Sequence, residues 1–128
     1  MRKKHHYLGK NMNPFSQLLH RLLRKPIIAH LPVRGLRHYR AGELSDIMQR
    51  GDPLTLQCEP DNPHDKNAVM VLWHQNKIGY IPASKAELVQ RLINRYGSIH
   101  GEITHIEPEH DDSQWIKLAI YPHRQGRR

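Results

Sequence analysis

Apolar residues change their spacing several times along this chain, and each change predicts an element. Phe15, Leu18, Leu19, Leu22 and Leu23 fall on one helical face. Asn13 stands ready to cap that helix, Pro14 suits its first position, and Pro26 ends it. His20, Arg21 and Arg24 flank this apolar stripe, which is expected to dock on its own domain, with a partner or an anionic membrane surface as the alternatives. Residues 27–33 then read as a strand, and Gly35 permits a turn before residues 36–40. Leu44, Ile47 and Met48 return to helical spacing, with Gly51 just past their end.

Leu54, Leu56 and Cys58 alternate with polar residues, which predicts a half-buried strand over 53–58. Residues 59–67 are rich in Pro, Asn and Asp and read as a loop. Strands over 68–73 and 77–81 follow, joined by a hairpin tip at 74–76. Ser84 and Glu87 have capping-box spacing ahead of Leu88, Val89, Leu92, Ile93 and Tyr96, and Gly97 closes that helix. Two longer strands, 99–106 and 115–121, are linked by an acidic loop at 107–113. The pattern predicts a mainly β domain of five or six strands with two or three helices. It is a small, closed or nearly closed barrel preceded by an N-terminal amphipathic helix.

Length and charge sharpen this outline. The 128 residues suffice for one domain. The division expected is a basic arm at 1–26, the barrel at 27–122 and a basic tail at 123–128. Net charge is +8 and the pI is about 9.9, which points to a polyanionic partner, because cations that neutralise phosphates release counterions. The first acidic residue is Glu43. Residues 1–42 hold 10 Lys and Arg, whereas the remainder holds 10 basic and 12 acidic residues. The positive charge is therefore an N-terminal property.

The single cysteine, Cys58, lies in an apolar run and is expected to pack rather than react. No apolar run approaches the length of a membrane span. The basic start lacks the apolar core of a signal peptide and the serines of a transit peptide, so the expected compartment is the cytoplasm.

Three segments carry the candidate chemistry: GLRHY at 35–39, EPDNPHDKNAV at 59–69 and KIGYIP at 77–82. Arg37 offers a rigid fork of donors suited to phosphate. Asn62 and Asn67 can brace the loop through side-chain to backbone bonds. Ionised Asp65 repels phosphate but accepts a hydrogen bond from a hydroxyl, and Lys66 follows directly. Tyr39 and Tyr80 offer faces on which splayed bases stack. Such a set fits a pocket for the end of a strand.

In this order the segments resemble the HIRAN domain family over about residues 27–122. The resemblance implies an OB-like barrel that captures the 3′ end of single-stranded DNA, commonly fused to a helicase-like translocase at stalled replication forks. By position, Asp65 would meet the 3′ hydroxyl. Arg37, His38, His64 and Tyr80 would line the pocket, with Asn62 and Lys66 in support. His38 and His64 stand where the DNA-binding members carry tyrosine, and the smaller imidazole face should weaken each stack. The chain contains no motor domain, so the expectation is a module that acts alone or serves a helicase or repair protein in trans.

Other chemistries fare worse. The 11 histidines raise a metal site, but His105, His110, Asp111 and Asp112 match no familiar ligand spacing. No nucleophile elbow or Gly-rich phosphate loop is present, so neither catalysis nor a cofactor is expected. The competing expectation is a protein-interaction adaptor that uses the barrel and the N-terminal helix. DNA binding, unlike adaptor binding, should weaken steeply with salt, whereas DNA and RNA are not distinguished by sequence. Plainer roles are also open: Asp65, Asn62 and Asn67 as loop braces, Tyr39 as a core residue, and Trp73 and Trp115 as core.

Overall fold

The computed structural model describes residues 13–16, 24–97, 99–107 and 115–122. Six strands form one antiparallel sheet: β1 (Ile28–Pro32), β2 (Pro53–Cys58), β3 (Val69–Trp73), β4 (Asn76–Tyr80), β5 (Ile99–Ile106) and β6 (Ile116–Pro122). Their order is β1-β6-β5-β2-β3-β4. A short 3-10 turn, Leu36–His38, and a helix, α1 (Ala41–Leu44), follow β1. A longer helix, α2 (Ala83–Tyr96), joins β4 to β5. The result is the expected mainly β, OB-like architecture.

The two ends of this sheet meet. Arg34, just past β1, pairs with Tyr80 at the end of β4: the Arg34 N–H donates to the Tyr80 carbonyl (2.8 Å) and the Tyr80 N–H to the Arg34 carbonyl (2.9 Å). Gly79 makes this approach feasible. A Cβ there would lie 2.4 Å from the Arg34 carbonyl oxygen and 2.6 Å from Val33 Cγ1. The glycine is needed for backbone proximity, not for an unusual dihedral.

The interior is aliphatic, as the composition requires. Val33, Leu54, Val69, Val71, Ile78, Ile103, Ile116, Leu118 and Ile120 are essentially inaccessible, and Val89 of α2 packs onto them. Alternation holds in β2, where Leu54 and Leu56 are buried between exposed neighbours. Trp73 is buried as expected, with its indole N–H donating to Asp52 Oδ2 (3.0 Å). Cys58 is half-buried against the core.

Two helical expectations need correction. Pro82 occupies the N-cap of α2, and no side chain caps that end. Ser84 thus falls inside the first turn, so the Ser84–Glu87 capping box does not form. Leu88 and Tyr96, expected on the buried face, are exposed, while Ala86 and Val89 are buried. The helix predicted around Leu44–Met48 is instead the four-residue α1 followed by turns, which leaves Ile47 outside at 59% exposure.

At the N-terminus, Asn13 Oδ1 accepts the Ser16 N–H (2.7 Å), the cap foreseen for the amphipathic helix. Most of that helix, residues 1–12, the acidic loop from 108 onward with its His110–Asp112 cluster, and the tail at 123–128 lie outside the described residues. Arg24 lands on its own domain, paired with Glu102 of β5 (2.6 Å) and 4.0 Å above the Tyr121 ring of β6.

Candidate nucleic-acid interface

The three sequence segments converge at the seam between β1 and β4. The 3-10 turn opens with Gly35 in the left-handed region (φ 78°) and presents Arg37 and His38 outward. The His38 N–H donates to the Gly35 carbonyl (3.0 Å), closing the turn. Arg37 makes no side-chain hydrogen bond or ion pair among the described residues, so its guanidinium is uncommitted there. His38 meets Tyr39 edge-on at 6.3 Å between centroids.

The loop between β2 and β3 is built differently, around Asn62. Its Oδ1 accepts the N–H groups of His64 (2.8 Å) and Asp65 (3.0 Å). Its Nδ2 donates to Glu59 Oε1 (2.9 Å) and to the Tyr80 hydroxyl (3.3 Å). Asp65 Oδ1 accepts the Asn67 N–H (2.9 Å), and the Asp65 carbonyl accepts the Ala68 N–H (3.0 Å). Both bracing roles therefore exist, for Asn62 and for Asp65. Asn67 contributes through its backbone. The second carboxylate oxygen of half-buried Asp65 makes no bond among the described residues. His64 and Lys66 are exposed on either side of it.

Tyr80 links loop and turn. Its hydroxyl donates to Glu59 Oε1 and accepts from Lys77 Nζ (2.9 Å). Its ring meets Tyr39 in an edge-to-face contact at 5.8 Å. Lys77 Nζ sits over both rings, 4.7 Å from the Tyr39 centroid and 4.9 Å from that of Tyr80, and 3.5 Å from Glu59 Oε2. Lys77 and Tyr80 would point to opposite faces of a regular strand. A bulge in β4 brings them together: Val71 pairs with Gly79 but Leu72 pairs with Lys77, so one extra residue resets the alternation.

The electrostatics of this cluster are self-consistent. The Tyr80 hydroxyl, then the Asn62 amide, hold the Glu59 carboxyl below its ordinary value, with Lys77 adding to the effect against the pull of burial. The bond to Tyr80 holds the Lys77 ammonium above its ordinary value, helped by the nearby Glu59 charge. Burial, and donation to Glu59, raise the Tyr80 phenol. At neutral pH the cluster thus carries one cation, one anion and a neutral phenol.

Of the residues expected from the sequence, the structure brings together Tyr39, Tyr80 and Asn62, with His38 against Tyr39 and Arg37 beside it in one cavity, and seats His64, Asp65 and Lys66 on the loop that Asn62 braces; three further residues join them. Glu59 and Lys77 are two. Trp115 is the third: half-buried against the core, it lines a cavity of about 400 Å³ with Leu36, Arg37, Tyr39 and Glu43. Tyr39 is 36% exposed rather than a core residue. Among the described residues no cluster of His, Cys, Asp or Glu could hold a metal ion.

An antiparallel sheet curled into an OB-like barrel, its ends bridged by Arg34 and Tyr80, with an exposed guanidinium, an exposed tyrosine and a loop-braced carboxylate, has the form of a small binding domain. The family model for the HIRAN domain matches residues 29–121, and the chain belongs to that family, whose members are nucleic-acid-binding modules. A protein from Lactobacillus plantarum shares 24% identity and superposes with a TM-score of 0.63 over 73% of this chain and 89% of its own. The HIRAN domain of human HLTF, also 24% identical, superposes with a TM-score of 0.54 over 73% of this chain and 71% of its own. At that identity both establish the fold. No curated protein matches the chain.

Proposed function

We propose that this HIRAN domain holds single-stranded DNA at a free 3′-hydroxyl end, in DNA repair or at replication forks, alone or beside a helicase in trans. The observation that carries this reading is Asp65, held in an ordered loop with one carboxylate oxygen used by the turn and the other uncommitted among the described residues. An uncommitted carboxylate accepts from a terminal hydroxyl and repels a terminal phosphate. The uncommitted fork of Arg37 suits an internal phosphate, and the exposed ring of Tyr39 suits a base.

Fluorescence anisotropy with three short strands tests this: a free 3′ end, a 3′-phosphate, and an end buried in a hairpin. The free end should bind tightest, with affinity falling steeply as salt rises. Asp65→Ala should equalise the three strands while leaving general affinity in place. Equal binding by the wild-type protein would sink end capture. No binding at low salt would favour a protein adaptor instead.

A further inference from the structure

The face of an aromatic ring carries negative charge density, and a cation over one face draws that density toward itself. Tyr39 is in this situation. Lys77 Nζ lies 4.7 Å from its centroid, while Tyr39 as a residue is 36% exposed and lines the cavity shared with Arg37 and Trp115. The ring thus has an ammonium group over it and edge contacts from Tyr80 and His38, and the residue keeps part of its surface open to solvent.

Nor is the ammonium free to leave for a phosphate. It donates to the Tyr80 hydroxyl (2.9 Å) and pairs with Glu59 (3.5 Å), with its side chain only 28% exposed. Stacking alone tolerates every base, because all four present a π-face. A ring depleted of density by a fixed cation does not treat them alike. It stacks best on the most electron-rich partner, which among the bases is guanine.

We infer that Lys77 is a specificity-determining positioning residue, acting through Tyr39 to favour a purine, guanine above all, over a pyrimidine at the base stacked on that ring. The inference rests on the nucleic-acid reading above and adds a base preference to it.

The test is anisotropy with short oligothymidylate strands whose terminal nucleotides are guanine or thymine, each with a free or phosphorylated 3′ end. Wild-type protein should prefer guanine by about twofold, a fraction of the direct cation–π attraction, because the cation acts on the base only through the ring. Lys77→Met should erase that preference, and Lys77→Arg should retain most of it. Thermal unfolding shows whether each variant is folded. Tyr39→Leu, which removes an exposed ring and leaves Lys77 in place, must erase the preference as well. Equal wild-type affinity for guanine and thymine overturns this inference, as does a preference that survives in Lys77→Met or Tyr39→Leu. The phosphorylated strands report on end capture separately, so either reading can fail without the other. Failure of the wild-type protein to bind any strand overturns both.

Discussion

Two halves of the candidate interface are made in opposite ways. In the loop of residues 59–67, side chains are spent on one another and on backbone: Asn62 alone makes four hydrogen bonds, to Glu59, Tyr80 and two loop amides. In the turn Leu36–His38, order comes from the backbone, and the Arg37 side chain is uncommitted among the described residues. Under the proposed end capture the difference would separate two tasks. A carboxylate that must meet a hydroxyl at a fixed distance needs a rigid mount, whereas a guanidinium that follows a phosphate backbone can search. Stability and binding should therefore be carried by different residues.

The largest break in this scheme comes from Gly79→Ala. Its Cβ would meet the Arg34 carbonyl oxygen and Val33, so both halves lose their common seam. The expected destabilisation is about 3 kcal/mol, at the upper end of overpacking costs, seen as a lower midpoint in urea unfolding with binding lost in parallel. The comparison itself is sharpened by a crossed pair. Asn62→Ala should destabilise by about 2 kcal/mol, because several half-buried bonds disappear together. Arg37→Ala should leave the unfolding midpoint unchanged, weaken all strands about tenfold and lower the salt slope by about one. If both variants moved stability and affinity by the same proportion, the division of labour would be wrong.

The smallest effect concerns pH. Folding lowers the Glu59 carboxyl below its ordinary 4.5, so its contribution is present above that value and lost as pH falls through the folded value. Lys77 and Tyr80 are raised above 10.5 and 10.0, so their contributions are complete below those values and lost as pH rises through the folded ones. The contribution of this cluster should be constant between these limits and decline outside them. Glu59→Gln should shallow the acid-side slope in unfolding measured at a series of pH values.

Much of this was legible in the sequence. The alternation in β2, the turn at Gly35 and the long loop motif located the barrel and the three segments that meet at its seam. What was not legible depended on register. Glu59 and Lys77 are 18 positions apart and meet only because β2, β3 and β4 lie side by side. The bulge that turns Lys77 and Tyr80 to one face leaves no mark in apolar periodicity, which by itself places them on opposite faces. Trp115 looked like core because half of it is; its cavity side depends on residues of α1 and the 3-10 turn, more than 70 positions earlier, lining the same space. The capping box failed for a local reason. Pro82 already occupied the cap, and a pattern of two residues could not reveal that α2 begins before them.

Tyr80 has two jobs that cannot be separated. Its amide and carbonyl fasten the first strand to the last, while its side chain sits at the hub of the interface. Anything that grips the side chain also restrains the fastening, and anything that loosens the fastening blurs the grip. If the proposed interface is occupied through Tyr80, the Arg34 and Tyr80 amides should become more protected against solvent exchange, and the barrel would then register its own cargo.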